Sequence, residues 1–180
     1  MLCFTYFKNY FFYTCTGGKK RTYCKKRKHS LARQTSSTRI GEERIKSIRV
    51  RGGNEKLRAL RLNNGVFTIK SHDFTFDAKI LQVVYHPTSN ELMRTNTLTK
   101  SAVLQIESPE AKQFIEGVGS KEPTVKELDP FFFESNEKGN LYAIVTSRPG
   151  QVGKADGYVL QGNELQFYVE KLKKKKSKAI

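Results

Sequence analysis

From Glu43 onward the apolar residues of this 180-residue chain return at nearly every second position. That period constrains the fold more than any other feature. A strand sends successive side chains to opposite faces, whereas a helix needs spacings of three and four. Runs rich in Val, Ile, Phe, Tyr and Thr occupy residues 45–51, 56–62, 65–70, 73–86, 91–95, 99–106, 141–147 and 158–169. Turn signals separate them: Gly52-Gly53-Asn54, Asn63-Asn64-Gly65, His86-Pro87-Thr88-Ser89-Asn90 and Gly162-Asn163. Short strands at such spacing predict an all-β barrel or sandwich. Within 56–62 the alternation slips by one at Ala59-Leu60, as expected of a bulge or of a strand buried on both faces.

One interruption reads as helical. Ser108 suits an N-cap with Pro109 at the first helical position, and Gly117 is the expected stop. Asp129-Pro130 repeats the start signal, with Gly139 as its stop. Residues 108–139 are therefore expected to form a mostly helical insertion, with the loop GVGSKEP (117–123) inside it. The barrel is expected from residues 43–107 and 140–170, followed by a basic tail at 171–180.

Charge is distributed unevenly. The chain carries +16 overall, but residues 1–61 hold 17 basic and 3 acidic side chains, a net +14. Residues 170–180 carry +5, and the stretch between, 62–169, carries −3. A near-neutral middle with cationic ends points to a polyanion, either nucleic acid or an anionic membrane surface. Nucleic acid fits better. No run approaches the ~18 apolar residues of a membrane span, and the basic segments lack the apolar face of an interfacial helix.

The basic side chains fall into two groups. Residues 16–42 form a polar arm, too hydrophilic to build a core and expected to order only on a partner. It offers Lys19, Lys20, Arg21, Lys25, Lys26, Arg27, Lys28, Arg33 and Arg39, with Tyr23 available to stack on a base. The hairpin SIRVRGGNEKLRALRL and its approach add Arg44, Lys46, Arg49, Arg51, Lys56, Arg58 and Arg61, and Arg148 follows later in the chain. Lysine and arginine neutralise phosphates and release condensed counterions, and arginine also forks onto phosphate and stacks on bases. Alternation places Arg49, Arg51 and Arg58 on a partner-facing surface, with Ile48, Val50 and Leu57 towards the core.

Other chemistry finds little footing. No nucleophile elbow or His-Glu-x-x-His occurs. GQVGKADG fails as a P-loop: two residues separate Gly150 from Gly153, and Ala155 stands where Ser or Thr would hold magnesium. It reads as a glycine-rich turn leading into a strand. Cys3, Cys15, Cys24 and His29 do not match a zinc knuckle, since 11, 8 and 4 residues intervene. An odd, unpaired cysteine set fits a reducing compartment. No enzyme activity, cofactor, metal, membrane contact or small-molecule substrate is expected. The first fifteen residues, with seven aromatics and one charge, do not read as a signal peptide. Upstream sequence or an altered start is the expectation there.

Two pairs of runs carry a family likeness: TGGKKRTYCKKRKHSLARQTSSTRIG with RVRGGNEKLRALRL, and VVYHPTSNELMRTNTLTKSAVLQI with SRPGQVGKADGYVLQGNELQFYVEKL. Over roughly residues 16–108 and 131–173 the chain resembles ribosomal protein eight of the eukaryotic and archaeal small subunit. The resemblance implies a mainly β fold with a small β-barrel core, a short helical insertion, a basic N-terminal arm and a basic C-terminal tail. It implies a structural constituent of the small ribosomal subunit that binds folded rRNA beside neighbouring ribosomal proteins. The expected location is the cytoplasmic ribosome, with nucleolar or nuclear assembly in a eukaryote. Three departures stand out. Ser30-Leu31-Ala32 replaces the usual Glu-Leu-Gly and Thr35 a proline; the 108–139 insertion is short; and an aromatic run precedes the arm. The alternative is a ribosome assembly factor with a related RNA-binding domain, which would carry a longer charged helical region before the barrel.

Overall fold

The computed structural model describes residues 24–121, 129–139 and 141–177. The aromatic segment 1–15, the arm residues Lys19, Lys20, Arg21 and Tyr23, and the end of the basic tail lie outside the described residues. The chain divides into two units, residues 1–33 and 34–180. In the first, residues 24–33 are exposed throughout. Their one element is a 3-10 turn at Lys28–Ser30, where Ser30 N–H donates to the Arg27 carbonyl at 2.9 Å.

The second unit holds a closed barrel of five strands: β4 (Asn64–Ile69), β5 (Phe74–Tyr85), β6 (Val103–Glu107), β7 (Leu141–Val145) and β8 (Asp156–Val159). Neighbours run antiparallel except β4 and β8, whose parallel pairing closes the ring. Phe67, Ile69, Phe76, Ile80, Leu104, Ile106, Ala143, Val145 and Val159 are buried, which is the alternate-residue interior that the period-two pattern requires. Closure also leaves no unpaired barrel edge. β5 slips register between Ile80 and Gln82 and again between Val83 and Tyr85, so the long strand can bend around the ring.

Before the barrel comes a separate three-stranded sheet in the order β1-β3-β2, from β1 (Arg39–Ile40), β2 (Arg44–Arg49) and β3 (Glu55–Leu62). A 3-10 turn at Arg51–Gly53 joins β2 to β3. The segment 34–42, read from sequence as part of the arm, belongs to this second unit. Thr38 is buried, its hydroxyl donating to the Ala59 carbonyl at 2.6 Å and its carbonyl accepting from Leu98 N–H at 2.8 Å. Such buried backbone pairing fixes the chain against the sheet.

Among the described residues, five helices complete the unit. The insertion supplies α2 (Pro109–Lys121) and α3 (Pro130–Glu137). Ser108 caps α2 as expected, its hydroxyl accepting from Ala111 N–H at 3.4 Å, and Gly139 follows the end of α3 with positive φ. The helix does not stop at Gly117, because an interior glycine costs only about 1 kcal/mol. Two runs read as strands are helices. Residues 90–94 form α1 (Asn90–Arg94), with the Ser89 hydroxyl accepting from Glu91 N–H at 3.1 Å. The run at 158–169 ends as a strand at Val159, and α5 (Gly162–Ser177) takes up its remainder together with most of the basic tail. Leu165 is buried, with Tyr168, Val169 and Leu172 half-buried. These positions, i, i+3, i+4 and i+7, form a single helical stripe. α5 packs against α3, and α2 stacks Phe114 on Phe74 of β5 with centroids 4.1 Å apart. The fifth helix is the single turn α4 (Pro149–Val152), which packs on β3.

Candidate nucleic-acid interface

The three-stranded sheet sorts its side chains through its register. β2 pairs antiparallel with β3 through Lys46↔Arg58, Ser47↔Leu57, Ile48↔Lys56 and Arg49↔Glu55. Residues directly opposite share a face. The register then shifts, so Ile45 faces Ala59 while Arg44 faces Arg61. Leu60 is the extra residue, and the bulge foreseen at Ala59-Leu60 is present. Its effect is to turn Arg61 onto the face that already holds Arg58 and Lys56. β1 adds a parallel neighbour, Arg39↔Arg61.

One face therefore carries Arg39, Arg61 and Arg44 in a single row across three strands, followed by Lys46 opposite Arg58, and then by Lys56 opposite Ile48. The other carries Ile45, Ser47, Arg49, Glu55, Leu57 and Ala59. This corrects the expected grouping. Arg49 lies on the opposite face from Arg58, in the row of Glu55, whose carboxylate accepts from the Ser47 hydroxyl at 2.7 Å. Ile48 sits on the cationic face and is half-buried, and Leu57, expected in the core, is 45% exposed. A pattern of period two assigns faces relative to a neighbour but cannot count across a bulge.

Like charges directly opposite on a sheet are destabilising. A row of three arginines therefore concentrates positive potential that a bound anion would offset. Arg39, Arg44, Lys46, Lys56 and Arg61 are exposed; Arg58 is half-buried and donates to the Gln34 carbonyl at 2.6 Å, which ties the incoming chain to the sheet. Arg51 is exposed at the hairpin turn, where Gly52 and Gly53 take positive φ. Arg148 immediately precedes α4, and α4 rests on the Leu57 face. A methyl on Gly153 would lie 2.7 Å from Leu57 Cβ, and its φ of +88° already favours glycine. Lys25, Lys26, Arg27, Lys28 and Arg33 are exposed in the first unit.

A second surface was not singled out from sequence. Tyr158 of β8 and Ile144 of β7 are register partners on the outside of the barrel. With Glu164, Phe167 and Tyr168 of α5 they line an open groove of about 470 Å³. Lys70 Nζ stands 3.5 Å from the Tyr158 ring centroid, and Lys171 Nζ 4.2 Å from that of Phe167. Tyr158 donates its hydroxyl to Glu164 Oε2 at 3.2 Å. Burial raises the Tyr158 phenol above its ordinary range, and the Glu164 carboxylate adds to this. Tyr168 is raised by burial and then by Tyr85 and Glu164. Both phenols stay protonated donors at neutral pH. The signal was there to read: Leu165, Tyr168, Val169 and Leu172 have helical spacing, which places Phe167 off the buried stripe.

His86 opens the HPTSN turn and is buried. Its Nδ1 accepts from Thr88 N–H at 3.2 Å, so Nε2 carries the proton and donates to the Thr99 hydroxyl at 2.7 Å. Burial lowers its pKa. This imidazole is a structural clamp between β5 and the segment leading to β6.

Comparison with known proteins follows the same lines. The family described as ribosomal protein S8e matches residues 13–160. The small ribosomal subunit protein eS8B of Schizosaccharomyces pombe is 44% identical over 189 residues, covering 91% of this chain and 94% of the relative. The Saccharomyces cerevisiae protein eS8A is 41% identical with the same coverage. That of Griffithsia japonica, named eS8, is 41% identical over 89% of this chain and 91% of its own length.

Proposed function

This chain belongs to the ribosomal protein S8e family, and we propose that it binds folded small-subunit rRNA through the cationic face of its three-stranded sheet and its basic arm. Its role is that of a structural protein of the small ribosomal subunit, within a ribonucleoprotein that serves translation. The observation that most supports the RNA reading is the row Arg39–Arg61–Arg44, continued by Lys46, Arg58 and Lys56. Held on paired strands, these side chains present a fixed array to successive phosphates, so binding loses little conformational freedom. The arm, residues 16–33, supplies further cations to neutralise phosphates, with Tyr23 stacking on a base. The cytoplasmic ribosome is the working location, and the nucleolus is the place of assembly if the cell is eukaryotic.

The test is the salt dependence of binding. Replacing Arg39, Arg44 and Arg61 together by Gln is expected to weaken binding of the full chain to small-subunit rRNA. The slope of log K against log salt should flatten by about 0.7–0.9 for each phosphate that is no longer neutralised. An unchanged slope with a folded variant would remove the sheet from the RNA interface. Sedimentation addresses the role itself: a constituent stays with mature small subunits through a high-salt wash. Release with precursors alone would make the protein an assembly factor.

A further inference from the structure

Among the surfaces that the cationic sheet does not use, the groove between the barrel and α5 combines three properties. The first is exposed aromatic area. Phe167 is 51% exposed, although a ring of that size gains by leaving water. It meets Tyr168 edge-on at 5.3 Å, and Tyr168 in turn leans on Tyr85 of β5 at 5.5 Å, so the ring is braced from below. The second is charge. Lys171 lies over Phe167 and Lys70 over Tyr158, and α5 runs on through Lys173 into the sequence Lys174-Lys175-Lys176. The third is a polar edge. The Glu164 carboxylate, with Asn163 beside it, faces the same groove.

Each property narrows the occupant. A carboxylate in the groove repels a phosphate there but accepts from the amino groups of a base edge. Lys70 and Lys171 on the rim, with Lys173 exposed beyond them, attract a phosphate backbone beside the groove. Aromatic rings among cations suit a flat ring carried on a polyanion. In a duplex the bases stack on one another, so such a ring is available only from an unpaired nucleotide. Building on the rRNA-binding reading above, we propose that the groove between β7–β8 and α5 seats an unpaired rRNA nucleobase. The base stacks on Phe167, its edge meets Glu164, and its phosphates run towards the α5 lysines.

The test uses the full-length protein and two single-stranded probes of equal length and charge: oligoadenylate and an abasic ribose-phosphate oligomer. Wild type is expected to prefer the base-bearing probe by about tenfold, the scale of one stacked base. Phe167→Ala and Phe167→Leu should both erase that preference and leave the salt slope unchanged. Phe167→Tyr should keep it. Leucine retains apolar packing, so a loss shared by both variants reports the ring and not the fold. Equal wild-type affinity for both probes, or a preference that survives both substitutions, overturns the stacking site. Salt-dependent binding of both probes in that case still supports RNA binding by the sheet, and absence of any binding overturns the RNA reading as well. In assembled subunits, ultraviolet crosslinking should yield a nucleotide adduct on the peptide containing Phe167, and a crosslink there to protein alone would refute the proposal.

Discussion

The barrel and the three-stranded sheet use the same strand-forming residues and put them to opposite ends. Five strands close on themselves, and their inward residues, from Phe67 and Ile69 on β4 to Val159 on β8, are hidden from water. Three strands stay open, expose Ile45 and Leu57, and align arginines side by side. In the barrel each pairing is favourable in itself, through burial and a ladder that closes on itself. In the sheet the row of arginines is unfavourable alone and would be offset by an anion. On the RNA reading proposed above, folding energy is held by the barrel and binding energy by the sheet, and changes in one should leave the other nearly untouched.

The most severe way to break that separation is a cavity in the barrel. Phe67→Ala should cost about 3–5 kcal/mol in denaturant unfolding. The fraction that remains folded should keep the wild-type salt slope for RNA. A changed slope at full folding would mean the two regions are coupled.

Gly153→Ala probes the seam between them, where α4 rests on Leu57. The left-handed backbone and the short approach to Leu57 together should cost about 1–3 kcal/mol. Thermal unfolding checks this, and a double-mutant cycle with Leu57→Gly, which removes the Cβ that the new methyl meets, should show part of the loss recovered. Failure of that recovery would show that backbone conformation alone sets the cost.

Arg61→Glu sharpens the comparison from the other side. A carboxylate between Arg39 and Arg44 replaces repulsion with attraction across both strand pairs. The isolated protein should gain about 0.2–1 kcal/mol while its RNA affinity falls by at least the share of one neutralised phosphate. Thermal melts and filter binding on one preparation give both readings, and a variant that loses stability would contradict the like-charge row.

The mildest effect comes from His86. Its pKa is lowered by burial, so below the unfolded value of about 6.5 the unfolded chain binds more protons than the native one. Stability should fall as pH drops from about 6.5 towards the lowered native pKa, and be flat above it. His86→Gln should flatten that part of the pH profile, and a wild-type profile flat between pH 7 and 5 would rule the linkage out.

Much of this architecture was legible in the sequence. Alternation located the barrel strands, Ser108-Pro109 and Asp129-Pro130 marked the insertion's helices, and Ala59-Leu60 announced its bulge. Two runs read as strands are helical, and the single turn α4 lies where a glycine-rich turn is expected. α1 is only five residues long, and the start of α5 is rich in Phe, Tyr and Val. Such composition favours strands until the stripe Leu165, Tyr168, Val169 and Leu172 is counted. Phe167 was overlooked with them, since its exposure follows from that helical phase. For the cations, identity was readable and grouping was not.

The sequence by itself determined that this chain has an apolar interior of alternating residues and a concentration of positive charge at its ends. Both are local facts, carried by residue type and spacing. Only the tertiary structure decided which cations share a face. Arg39 reaches Arg61 by pairing with a strand more than twenty residues away, and Arg44 joins them because the bulge at Leu60 turns one strand by one residue. A single-residue change in register sends every later side chain to the other face, so the row exists only once the long-range pairing is made.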